Sequence, residues 1–152
     1  MTRAGYGYGT HLPALIHCVL RTSGPILELG AGRFSTPILH QLCSADQRRI
    51  VTAEEPGDWL ATYEHLRTDW HEFIRSYDAE VIDAIQWSVV LIDHAMDRRN
   101  ADLQRLADRA SFIVVHDTNC TKYGYDFAAF RYRRDWDDLS PTTAVVSNEE
   151  QP

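Results

Sequence analysis

Short, largely apolar runs recur along this chain and limit its fold more than any other feature. They are Ile26-Leu27-Glu28-Leu29, Arg49 to Ala53, Trp87 to Ile92 and Phe112 to Val115. Between them lie segments of helical periodicity. One carries Ile38, Leu39 and Leu42, a second covers residues 58–67, and a third, residues 100–110, has Leu103, Leu106 and Ala107 on one face. Near-continuous apolar strands alternating with amphipathic helices require a parallel sheet covered on both faces. Right-handed crossovers then give a doubly wound sheet. A helix is also expected before the first strand, capped by Thr10 and running to about Arg21. Residues 70–84 are ambiguous, with Glu72 to Arg75 readable as a short third strand. The tail changes period: residues 130–136 alternate, and Thr142 to Ser147 offers a partner. The expected fold class is thus α/β, a mainly parallel doubly wound sheet with a C-terminal antiparallel strand pair at one edge.

A chain of 152 residues suits one domain, expected here to span residues 1–152. Its formal charge is −7, with 22 acidic against 15 basic residues. That balance argues against nucleic acid as a partner, because such affinity comes from neutralising phosphates. Lys122 is the single lysine, so a lysine base has one candidate. Cys18, Cys43 and Cys120 are odd in number and fit neither a zinc motif nor a disulfide framework. They read as free thiols of a reducing cytoplasm. The N-terminus lacks a signal-peptide pattern and no apolar run is long enough to span a membrane, so no membrane partner is expected. The expected partner is a small-molecule substrate, with homo-oligomer formation left open.

Ligands of open α/β sheets bind outside the carboxyl ends of the strands. Those ends hold Glu28 to Gly32, Glu54, Asp93 and His116-Asp117. In Glu28-Leu29-Gly30-Ala31-Gly32 the glycines let the backbone turn sharply and approach a ligand. Ser35 stands where the dinucleotide fingerprint has its third glycine. Glu54, 24 residues after Gly30, can accept hydrogen bonds from both ribose hydroxyls; the alternative is a surface carboxylate. Asp93 and Asp117 end strands expected to lie close together. They could share a divalent cation, or they could simply cap helices. His94 and His116 lie beside them and could act as general bases, or be structural. Arg131, Arg133 and Lys122 could bind an acidic group, though a charged, solvated edge strand accounts for them as well. Residues Tyr6 to Gly9 could close over a ligand as a lid, or be disordered.

Taken together, Glu28-Leu-Gly-Ala-Gly, Thr52-Ala-Glu54 and Leu91-Ile-Asp93-His94 with Asp97-Arg98 resemble class I S-adenosylmethionine-dependent methyltransferases, which are Rossmann-like. Their order and spacing are most similar to the catechol O-methyltransferase group and to small sugar or natural-product O-methyltransferases. The resemblance covers about residues 25–119. It implies S-adenosylmethionine as cofactor, held by Glu28, Gly30, Gly32, Glu54 and Asp93. Gly30 and Gly32 would flank its methionine part and Glu54 its ribose. It further implies a Mg²⁺ ion on Asp93 and Asp117. The chain departs from the pattern at Met96, where the group has its catalytic lysine, and at Thr118, where the group has a metal-binding asparagine; Asn119 follows one step later. With no lysine, the catalytic candidates are His94, His116 and Asp93. The function expected is O-methylation of a small hydroxylated substrate. The alternatives are a catalytically silent nucleotide-binding or scaffold domain and an NAD-linked oxidoreductase.

Overall fold

The computed structural model describes residues 7–95 and 97–152. Tyr6 of the expected lid and Met96 therefore lie outside the described residues. One sheet of seven strands organises the chain: β1 (Ile26–Leu29), β2 (Ile50–Ala53), β3 (His71–Ile74), β4 (Trp87–Ile92), β5 (Ala110–His116), β6 (Tyr132–Trp136) and β7 (Thr143–Ser147). Their spatial order is β3-β2-β1-β4-β5-β7-β6. Strands β1 to β5 pair in parallel, and β7 runs antiparallel to both β5 and β6. The order reverses between β1 and β4, the crevice where such sheets bind ligands. The expected terminal pair forms, with β7 threaded between β5 and β6 so that β6 alone makes the edge.

Strand parity explains the two cores. Ile26, Ile50, Val89, Leu91, Phe112 and Val114 face α1 (Leu12–Arg21) and α2 (Ser35–Cys43). Leu27, Leu29, Val90, Ile92, Ile113 and Val115 face the other way, against residues that include Leu103 of α5 (Arg99–Arg105). Burying both faces explains why these strands read as continuous apolar runs.

Three local expectations change. Thr10 does not cap α1: His11 holds the N-cap position, and the Thr10 hydroxyl bonds elsewhere. The helix expected over 58–67 is α3 (Asp58–Tyr63) followed by a 3₁₀ turn at Glu64–Leu66. The ambiguous stretch contains, besides β3, a short α4 (Glu80–Ala84). After β5 the chain makes a 3₁₀ turn at Thr121–Tyr123, and Tyr125, Phe127 and Phe130 pack on the sheet in place of a crossover helix.

The outer strand β6 exposes its arginines. Arg133 pairs with Asp135 at 2.8 Å and lies over the Phe127 ring. Charged side chains of this kind protect an edge strand from further pairing. Among the described residues no helix is long and apolar enough to cross a membrane.

Candidate active site

At the carboxyl end of the parallel strands lies a cavity of about 1280 Å³. Its walls come from the turn after β1 (Ala31 to Phe34), from Glu54, from Trp59 and Tyr63 of α3, and from Tyr77. Its floor includes Asp93, Arg99, His116 and Asp117, with Tyr8 and Pro141 at the rim. Lys122, Arg131 and Arg133 do not line it.

The glycine turn is built from beneath. Gly30 has φ +97°, and a Cβ there would strike the backbone carbonyl of Asp93 and lie 2.9 Å from the His94 Cα. Both a left-handed backbone and a close approach therefore require glycine. At Gly32 a Cβ would meet only the Ser35 hydroxyl, at 2.6 Å. The Gly32 amide donates to Thr36 Oγ1 at 2.8 Å, and that hydroxyl donates to Glu28 at 3.0 Å. Thr52 donates to the same carboxylate at 2.7 Å. Glu28 was expected to touch the cofactor. It is instead completely buried under the turn, where it anchors the turn to α2. Burial pushes its carboxyl up to about 7, against the pull of its hydroxyl donors.

Glu54 does reach the cavity. Its carboxylate accepts the Ala31 amide at 3.1 Å, the Glu55 amide at 2.8 Å and the Tyr77 hydroxyl at 2.5 Å. The turn and the acid that follows β2 thus share one wall, and Trp59 Nε1–H bonds to the Ala31 carbonyl above them.

The floor corrects the expected metal site. Asp93 and Asp117 do come together, but Arg99 joins them. Its guanidinium reaches Asp93 at 3.0 Å and Asp117 at 2.9 Å, and its Nε donates to the His94 carbonyl at 2.6 Å. The guanidinium supplies the positive charge that a Mg²⁺ ion between the two carboxylates would have supplied. Asn119 uses its side-chain oxygen to accept the Thr142 amide at 3.2 Å, so it serves the loop. Sequence reasoning passed over Arg99. The available signal was its place at the start of the helix after β4, six residues beyond Asp93.

The two histidines have different surroundings. His94 Nε2 is 2.7 Å from Asp102 on α5, its Nδ1 is buried, and its ring packs on Tyr77. Neither nitrogen opens on the cavity, which removes His94 as a base. His116 lies on the floor with Nδ1 3.1 Å from Asp93 and Nε2 2.9 Å from the Thr10 hydroxyl. His11, also passed over in the sequence, stands edge-on to His116, their ring centroids 4.6 Å apart. Burial would raise the Asp93 carboxyl, but His116, His11 and Arg99 outweigh it and hold the group below the usual range.

No protein-family model matches the chain, and no curated protein matches it in sequence. Solved structures do match in fold. A structure of the human methyltransferase 10 domain containing protein aligns with TM-score 0.62 at 10% identity, over 92% of this chain and 81% of that one. The delta-N METTL16 MTase domain aligns with TM-score 0.63 at 10% identity, over 92% and 82%. A mutant of MtNAS crystallised in complex with S-adenosylmethionine aligns with TM-score 0.56 at 17% identity, over 99% of this chain and 65% of that one. By strand order, by the reversed β7 and by these likenesses, the chain has a Rossmann-like α/β fold shared with these structures.

Proposed function

We propose that this chain binds S-adenosylmethionine and transfers its methyl group to a hydroxyl of a small acceptor. The observation that carries the reading is the meeting of the glycine turn and Glu54 on one wall of a large cavity. The Ala31 amide donates to the Glu54 carboxylate at 3.1 Å and so holds that carboxylate on the cavity wall, where its remaining lone pairs can accept from the hydroxyls of a ribose diol. The aromatic faces of Trp59, Tyr63 and Tyr77 on the same wall suit a purine and a sulfonium. A volume of about 1280 Å³ exceeds the roughly 300–1,000 Å³ of ordinary ligand pockets, which leaves room for an acceptor beside the cofactor.

The bound cofactor would supply an electrophilic methyl carbon. The chain has to hold an acceptor oxygen in line with it and relieve that oxygen of its proton. In-line placement is most of the catalysis such a transfer needs. Asp93 and His116 form the polar floor on which a hydroxyl can be oriented, and the Asp93–His116 pair would take the hydroxyl proton as the oxygen–methyl bond forms and the sulfur–methyl bond breaks. Arg99 holds Asp93 ionised, so its carboxylate can accept the hydroxyl hydrogen bond. Tyr8 and Phe34 bound the cavity on its outer side.

Transfer of a labelled methyl group from S-adenosylmethionine to a panel of small catechols, sugars and phenols tests the proposal. Asp93→Asn and His116→Ala should each lower turnover by about 10²–10⁴-fold with cofactor affinity nearly unchanged. Undiminished turnover in both variants would remove the floor from the reaction. Cofactor binding with no acceptor ever methylated would favour a silent nucleotide-binding domain.

A further inference from the structure

The histidine pair at the floor has more ligand atoms than partners. His11 is 2% exposed, and nothing among the described residues bonds either of its ring nitrogens. An imidazole with neither nitrogen engaged presents a free lone pair to a metal. The hydroxyl of Thr10 donates to the Pro141 carbonyl at 2.6 Å, which leaves its oxygen to accept Nε2–H of His116 at 2.9 Å. That bond puts a hydrogen on Nε2, and Nδ1 of His116 faces an Asp93 oxygen 3.1 Å away. Either a proton or a metal cation has to lie between the two atoms. His11 Nδ1 approaches the other Asp93 oxygen to 3.9 Å, and one ligand atom from each of the three residues lies within 4.8 Å of the others.

We infer that His11, Asp93 and His116 form a binding site for one first-row transition-metal ion of the Zn²⁺ type. Two imidazoles and one carboxylate are the donors such ions prefer, whereas Mg²⁺ favours oxygen throughout. Metal bonds of about 2.0–2.1 Å at a tetrahedral angle need ligand atoms roughly 3.3–3.5 Å apart. The His116–Asp93 pair, at 3.1 Å, is slightly tighter than that spacing, and His11, within 4.8 Å of the others, has to close by roughly 1–1.5 Å. Thr10 acts as the outer support that orients a ligating histidine. Asp93 and His116 line the cavity while His11 lies behind them, so the remaining coordination position opens toward the acceptor. Arg99 weakens the site, because its guanidinium contacts the same Asp93 oxygen as His116, at 3.0 Å; the other Asp93 oxygen faces His11. The site shares its floor with the proposed methyl transfer, yet metal binding can be measured with no cofactor present.

The full chain, stripped by chelator and desalted, should bind one Zn²⁺ with micromolar affinity, and Co²⁺ should give the visible absorption of a low-coordinate nitrogen-oxygen site. His11→Ala should abolish the Co²⁺ band and weaken Zn²⁺ by at least about tenfold, and Thr10→Val by about tenfold. His40→Ala is the control, because His40 and His71 make a second close imidazole pair with nitrogens 3.0 Å apart. X-ray absorption of the zinc-loaded unmodified protein should report two imidazoles and oxygen, and it needs no variant to fold. Absence of binding, or binding lost in His40→Ala and kept in His11→Ala, would overturn the site and identify His116 as an imidazolium paired with Asp93. Neither result bears on S-adenosylmethionine affinity, which is read separately by calorimetry.

Discussion

The two halves of the cavity are built on different principles. On the β1–β2 side the backbone dictates the geometry. The positive φ of Gly30 and the amides of Ala31 and Gly32 set the wall, and a buried carboxylate with two threonine hydroxyls locks it from below. On the β4–β5 side the backbone only delivers side chains to strand ends. Their partnership is decided by Arg99 and by two histidines from distant segments. A wall made of main chain tolerates few substitutions. A floor made of charges can be rewired.

The sharpest way to break the comparison is at Gly30. Gly30→Val forces a β-branched residue into a left-handed backbone and against Asp93 main chain, and should cost roughly 3–5 kcal/mol of folding free energy. Denaturant unfolding checks it. A loss below about 1 kcal/mol would mean the two loops separate freely. Gly32→Val marks the contrast: it displaces a rotatable hydroxyl, so stability should change little while cofactor binding is lost.

Next in size is the charge bridge. Arg99→Met leaves Asp93 and Asp117 facing one another with no cation between them. Complete burial of an unpaired charge costs about 3–5 kcal/mol, and these carboxylates, about one-fifth exposed, should cost roughly 2–3 kcal/mol after solvent screening. Asp117→Asn added to Arg99→Met should recover part of that loss. No recovery would show that Arg99 acts through packing on Tyr123, whose ring lies 4.4 Å from it, and not through charge.

Glu28 gives a pH signature. Its carboxyl is raised from 4.5 to about 7 in the folded chain, so the folded state holds a proton that the unfolded state has released. The stability it contributes is complete below pH 4.5 and is lost as pH rises toward 7. Wild type should therefore lose on the order of 2–3 kcal/mol relative to Glu28→Gln between pH 4.5 and 7.5. A pH-independent difference would mean that Glu28 is ionised throughout.

The same contrast governs what could be read in the sequence. Strand β4 matches its apolar run at both ends, and β1 likewise, because burial of both faces selects apolar residues, with Glu28 of β1 admitted by its hydroxyl partners Thr36 and Thr52. Glu54 was legible because its distance from the glycines is a property of one β-α-β unit. Glu28 was misjudged as a ligand contact: an acid before two glycines looks the same whether it points into the cavity or under the turn, and only strand parity decides. Arg99 and His11 were not legible as site residues. Each reaches Asp93 through a tertiary approach, His11 from a helix 82 positions earlier in the chain. Thr10 resembles a helix cap in sequence, and its bond to His116 follows from the same approach.

The central claim is that the glycine turn and Glu54 together hold S-adenosylmethionine. Isothermal titration of the purified chain with S-adenosylmethionine, S-adenosylhomocysteine and NAD⁺ tests it most directly, with Glu54→Ala as the paired variant. Micromolar binding of the first two, much weaker NAD⁺ binding, and a loss of about 1.5–3 kcal/mol in Glu54→Ala are the predicted results. NAD⁺ binding as tight as S-adenosylmethionine, or unchanged affinity in Glu54→Ala, would contradict the account.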